Sequence, residues 1–134
     1  MKKTDLINPA LSEMIVNLGH TDMQVLADAG LPIPATTRRI DLALTRGIPT
    51  FLDTVRTVLT EMYVEKAVVA EEMLKKGPEI YEQLYQLLET TPIEVIPHAD
   101  FKERTRSARA LVRTGEFTPY ANITLVAGAW GFSL

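Results

Sequence analysis

The sequence predicts an α/β fold: a three-layer sandwich with a mixed, mostly parallel sheet of about six strands, covered on both faces by helices. Three observations carry this expectation. Short apolar runs of strand length alternate along the chain with longer segments whose apolar residues recur at helical spacing. Gly and Pro clusters separate them. The 134 residues, 46% of them hydrophobic, suffice for one core, and no internal repeat, low-complexity tract or linker divides them, so 1–134 reads as a single domain.

In chain order, Asn8 followed by Pro9 marks a helix start, because Asn caps free amides and Pro at the first helical position gives up nothing. Leu11, Ile15 and Leu18 then share one face, Gly19 suits the C-terminal cap, and His20 falls just beyond the helix end. Met23 to Ala27 is a buried strand ending at Asp28, and residues 29–34, with two prolines, form a rigid loop. Ile40 to Leu44 is a weaker strand closed by Gly47 and Pro49. Thr50 with Asp53 approximates a capping box for a second helix, whose apolar face runs from Phe51 to Met62.

Val64 to Ala70 reads as another buried strand, and Gly77-Pro78 opens a third helix with Ile80, Leu84, Leu87 and Leu88 facing inward. Ile93 to Ile96 is a strand, Ala99 to Thr105 a short helix, Ala110 to Val112 a strand, and Asn122 to Ala127 the last strand. In such a fold the functional loops belong at the strand ends.

Composition excludes several classes of function. Fourteen basic against 17 acidic residues, a formal net charge of -3, argues against nucleic acid as a partner. The absence of cysteine removes disulfides, thiolate zinc sites and cysteine nucleophiles, and fits a reducing compartment. Polar residues break up the N-terminal stretch before a signal-peptide core can form, which points to a cytoplasmic protein. The most apolar run, Ile123 to Trp130, is far shorter than the roughly 20 residues a membrane-spanning helix needs. Dinucleotide and nucleoside-triphosphate loop motifs are missing.

The two histidines, His20 and His98, both fall at element boundaries, where sites live. An unperturbed imidazole titrates at about pH 6.5, so either can act as acid or base, although a histidine beyond a helix end can equally just cap carbonyls. Asp28 at a strand terminus is solvated, turn-forming or held for a ligand. Tyr120-Ala121-Asn122 enters the final strand from a turn and offers a hydroxyl and an amide suited to sugar hydroxyls, though both are ordinary turn residues. Asp22 and Asp100 each follow a histidine by two positions, which raises a two-histidine, one-carboxylate metal site, but no ligand-spacing motif supports it and no metal is expected. Arg104, Arg106, Arg109 and Arg113 could form an anion site or, more ordinarily, a solvated face or a source of subunit salt bridges. Trp130 fits packing at a core or subunit contact better than sugar stacking.

Four stretches taken together, Leu18-Gly19-His20-Thr21-Asp22, Asp28 to Pro34, Arg39 to Leu44 and Thr118-Pro119-Tyr120-Ala121-Asn122, with Val112 to Glu116 just before the last, resemble the D-ribose pyranase family. The resemblance spans nearly the whole chain; residues 75–91 carry no family motif and the end, Ala129 to Leu134, is longer than the pattern. It implies that His20 matches the family's proton donor and that Asp28, His98, Tyr120, Ala121 and Asn122 match its substrate contacts. It further implies a cofactor-free isomerase acting on D-ribose, assembled as a ring-shaped homo-oligomer, a homodecamer in the family pattern, with active sites near subunit boundaries. The alternatives are a fucose-type mutarotase, a non-catalytic sugar-binding module associated with ribose transport, and a metal-dependent enzyme using both histidines. The Gly-Leu-Pro-Ile-Pro loop and the Pro-Tyr-Ala-Asn turn favour the ribose branch.

Overall fold

The computed structural model describes residues 1–129; Trp130, expected at a core or subunit contact, lies outside the described residues. Six strands form a single sheet in the order β2-β5-β1-β6-β3-β4. In chain order the elements are α1 (Pro9–Asn17), β1 (Met23–Ala27), β2 (Arg38–Asp41), α2 (Phe51–Leu59), β3 (Val64–Ala70), α3 (Glu71–Lys76), α4 (Pro78–Leu88), β4 (Ile93–Ile96), α5 (His98–Arg104), β5 (Ala110–Arg113) and β6 (Ile123–Ala127). A 3₁₀ turn, Thr105–Ser107, links α5 to β5. All neighbouring pairs are parallel except those of β6, which runs antiparallel between β1 and β3. The sheet is thus mixed and mostly parallel, as the sequence predicts.

Alternation along the strands sorts side chains between two cores. Leu26 of β1, Val69 of β3, Val112 of β5 and Ile123 and Leu125 of β6 join Leu11 and Met14 of α1, Phe51, Val55 and Val58 of α2, and Leu84 and Leu88 of α4. On the opposite face, Val25, Ala27, Val68, Ala70, Ile96 and Leu111 pack with Phe101 of α5 and Leu31 of the proline-rich loop. Both faces are covered, which is why the strands read as near-continuous apolar runs.

The local signals act as expected at two helix starts. The Asn8 side chain accepts from the Leu11 amide and Thr50 Oγ1 from the Asp53 amide, 3.0 and 3.1 Å away. Two expectations need correction, and one element has no counterpart in the sequence reading. Gly19 does not cap α1 in the left-handed conformation: Leu18 ends the helix in extended backbone and Thr21, at φ 72°, makes the reversal. The weaker strand lies over Arg38–Asp41 and not Ile40–Leu44: the Leu42 amide makes the last bond to β5, and the chain beyond it forms a hairpin bridged at Thr45 and Ile48. Glu71–Lys76 forms the additional helix α3, with Met73 its one buried residue.

Candidate active site

The C-terminal ends of β1, β3, β4 and β5 point to one edge of the sheet, and the antiparallel β6 begins at that same edge. The residues that leave or enter there line a cavity of about 490 Å³: Asp28, His98, Arg113, Glu116 and Tyr120 supply polar groups, and Leu31, Pro32, Phe117 and Pro119 an apolar wall. An apolar concavity carrying a few convergent polar groups is the usual form of a small-molecule site.

Each polar group has a traceable anchor. Asp28 follows β1; its amide donates to Asn122 Oδ1 at 2.8 Å and its Oδ1 accepts from the Gly30 amide at 2.9 Å, an Asx turn that opens the proline-rich loop. Its second carboxylate oxygen stays available. Asn122 is fully buried behind Asp28, and its Nδ2 has no partner among the described residues. Ala121 is 1% exposed, while Tyr120 holds φ 66°, a left-handed conformation that costs a non-glycine residue of order 1–3 kcal/mol and clusters at functional sites. The His98 ring meets the Tyr120 ring edge-on, centroids 4.9 Å apart at 86°. Burial pushes the His98 imidazole below its ordinary pKa, Lys102 adds to the effect, and Glu72 and Asp28 oppose it.

Two further residues line the cavity: Glu116, to which the sequence alone assigns no site role, and Arg113, which the sequence offers only as part of a basic run. Glu116 Oε1 accepts from the Phe51 amide at the start of α2, and its Oε2 accepts from the Thr118 hydroxyl at 2.9 Å, so both oxygens hold loops in place. Arg113 Nε donates to the Ala29 carbonyl at 3.0 Å, and its Nη1 bonds both Asp41 oxygens. Asp41 in turn sits below its ordinary pKa: burial opposes this, but the Ala43 amide, the Arg113 guanidinium and Arg39 together outweigh it. The arginine run therefore forms no anion site. Arg104 pairs with Glu94, Arg106 with Glu103, Arg109 with Asp22 and Arg113 with Asp41, four separate ion pairs within the chain.

His20 stands elsewhere. It precedes β1 at the opposite edge of the sheet, where its Nε2 lies 2.9 Å from Glu65 Oε2 and its side chain is 42% exposed. The whole of β1, at about 3.3 Å per residue, separates it from Asp28 by roughly 16 Å. His20 and His98 consequently share no site within one chain, and no group of three or more His, Cys, Asp or Glu able to hold a metal occurs among the described residues. No helix among the described residues is long and apolar enough to cross a membrane.

Comparison with known proteins bears on this cavity. A model of the RbsD / FucU transport protein family matches residues 1–130. The D-ribose pyranase of Chloroflexus aggregans is 59% identical over 128 residues, covering 96% of this chain and 98% of the relative, and that of Coprothermobacter proteolyticus is 54% identical with the same coverage. The structure of Bacillus subtilis RbsD complexed with D-ribose superposes with a TM-score of 0.93 at 45% identity, over 96% of this chain and 98% of that one. The fucose mutarotase of Streptococcus pneumoniae in complex with L-fucose gives a TM-score of 0.79 at 27% identity, over 92% and 94% of the two chains.

Proposed function

The chain belongs to the RbsD / FucU family, and from that premise we propose that it is a D-ribose pyranase, a cofactor-independent isomerase interconverting the pyranose and furanose forms of ribose. The observation that carries the reading is the cavity itself. It is large enough for a pentose, and it sets a carboxylate, an imidazole and a phenol against an apolar wall at the edge where Asp28 and Asn122 are tied together. Relatives of 59% and 54% identity bear that name, whereas the fucose mutarotase stands at 27%.

Ring exchange opens one hemiacetal and closes another through the open-chain aldehyde. A base takes the anomeric hydroxyl proton while an acid protonates the ring oxygen; the C–O bond breaks, and a different hydroxyl then adds to the carbonyl with the proton movements reversed. Each well-placed acid or base contributes about 10²- to 10⁴-fold. In this reading Asp28, with one oxygen occupied by Gly30 and one available, accepts from sugar hydroxyls. His98 and Tyr120 hold the remaining polar groups, and Ala121 and Asn122 shape the floor behind them.

In this reading His20 is the proton donor and, lying at the far edge of its own sheet, serves the cavity of a neighbouring copy. Its exposure supports this role. A ring-shaped homo-oligomer, a homodecamer, supplies the required neighbour; the chain acts as one ribose pyranase-like domain in the cytoplasm. The test is to substitute His20→Ala, confirm folding by circular dichroism, and follow ribose ring exchange by saturation-transfer NMR. Loss of accelerated exchange is expected. Exchange at the wild-type rate removes His20 from the mechanism, and ribose binding without any acceleration by the wild-type protein selects a non-catalytic sugar-binding module.

A further inference from the structure

His98 is held in an unusual way for a residue facing a polar ligand. Its Nδ1 is buried without a hydrogen-bond partner among the described residues, so no side-chain hydrogen bond from that atom fixes the ring. Packing contributes, through the edge of Tyr120 and the ring of Phe101, stacked at 10° with centroids 6.4 Å apart. The remaining anchor is the main chain: the His98 amide donates to Glu72 Oε1 at 2.9 Å.

Sheet register explains why these two residues meet. Ala70 of β3 pairs with Ile96 of β4, and Glu72 and His98 each lie two residues beyond their member of that pair. His98 opens α5, whose N-cap, Pro97, has no side chain able to accept from the free amides there. Glu72 takes over that task from α3, at the end of the neighbouring strand β3.

We propose that Glu72 is a positioning residue of the sugar site, anchoring the backbone of His98 and placing a negative charge beside its imidazole. This rests on the ribose reading above. The groups that face His98 are Glu72 from α3, Asp28 after β1, Lys102 one turn further along α5, and Tyr120 before β6. Burial and Lys102 lower the proton affinity of the ring, while Glu72 and Asp28 raise it. Removing the Glu72 charge therefore moves the His98 titration to still lower pH, and the neutral imidazole persists further into acid.

Two variants separate the two effects. Glu72→Gln keeps an oxygen that accepts from the His98 amide but loses the charge; Glu72→Ala loses both. The two histidine ring signals, told apart by the His20→Ala variant, are titrated by NMR, and ribose exchange is followed against pH on the same Glu72 samples. In E72Q the His98 midpoint and the acid limb of kcat/KM both move to lower pH, with the plateau rate within about twofold of wild type. In E72A the plateau kcat/KM falls roughly tenfold, the equivalent of one hydrogen bond to a charged group. An unmoved His98 midpoint and acid limb in E72Q, or an undiminished plateau in a folded E72A, overturns the proposal; if E72A does not fold, E72Q decides alone. Wild-type protein that fails to accelerate ribose exchange defeats the ribose reading instead, and the NMR titration of His98 still reports what Glu72 does to that ring.

Discussion

Gly115 lies where the 44–48 hairpin meets the loop that carries Glu116 and Phe117, and its replacement by alanine gives the sharpest test of how fold and pocket are joined. A Cβ built there would stand 2.5 Å from the carbonyl oxygens of both Thr45 and Ile48. Ordinary contact begins near 3.4 Å, so the hairpin backbone has to retreat by about 0.9 Å. That movement strains two hydrogen bonds, Gly47 N–H to the Gly115 carbonyl at 2.7 Å and Gly115 N–H to the Pro49 carbonyl at 2.9 Å. Overpacking of this kind costs about 1–3 kcal/mol and the weakened hydrogen bonds about 1 kcal/mol each, against a gain of about 0.5 kcal/mol from the stiffer unfolded chain. The balance is a loss of about 2.5–4.5 kcal/mol. For 134 residues at about 2.1 cal/mol/K each, the unfolding entropy is about 0.28 kcal/mol/K, or roughly 3.6 °C per kcal/mol. G115A should therefore melt about 9–16 °C below wild type by calorimetry at matched protein concentration, and its KM for ribose should rise because the next two residues line the cavity. Gly47→Ala supplies the control: its Cβ meets nothing within 4 Å but must adopt φ +79°, which costs only about 1–2 kcal/mol. A G115A protein that melts within 2 °C of wild type, or above G47A, refutes the reasoning.

Asn122→Ala leaves the half-buried Asp28 amide without its acceptor and empties a fully buried side-chain position, and should cost about 1–3 kcal/mol in denaturant unfolding while also weakening ribose binding measured by NMR. Phe117→Ala removes a side chain that is 56% exposed on the cavity wall, so thermal stability should change by less than about 0.5 kcal/mol while KM for ribose rises. Glu94 is held down to about 2 by hydrogen bonds from Arg104 and Lys66. Because its folded pKa lies below the unfolded one, its contribution is complete above about pH 4.5 and fades as pH falls toward 2. These are surface pairs, so Glu94→Gln should destabilise by only about 0.5–1 kcal/mol at pH 7, and the difference from wild type should vanish in urea melts near pH 2. A difference that persists undiminished in acid would assign the effect to packing.

Much of the fold was legible because single residues carry unambiguous local physics. Asn8-Pro9 and Thr50 start helices where their side chains cap amides, and Met23–Ala27, Val64–Ala70 and Ile93–Ile96 are strands at the boundaries that apolar runs and flanking turns mark. β2 was displaced because an edge strand with only Ile40 buried has no alternation to read. Helix α3 was invisible for a related reason: six residues with Met73 as the one buried position form no apolar stripe. Within the site, Asp28, His98, Tyr120 and Asn122 stood out as polar residues at strand ends, and the structure brings them to one edge. Glu116 and Glu72 did not stand out, since their partners are amides 65 and 26 residues away in sequence, neighbours only through the register of the sheet. His20 was recognisable at an element boundary, but no spacing rule says which edge of a sheet a boundary will face.

The strand order has a consequence for how the molecule comes into being. β6 is the last strand in sequence among the described residues, yet it sits in the interior of the sheet, the sole bridge between the β2-β5-β1 half and the β3-β4 half. During synthesis the two halves can each begin to pair, but no strand joins them into one sheet until residues 123–127 emerge, and Asn122 comes out just ahead of that strand. The pocket therefore forms in the same event that completes the sheet. A ribosome-stalled chain ending before residue 122 should expose unpaired edges of β1 and β3, recruit chaperones, and bind no sugar.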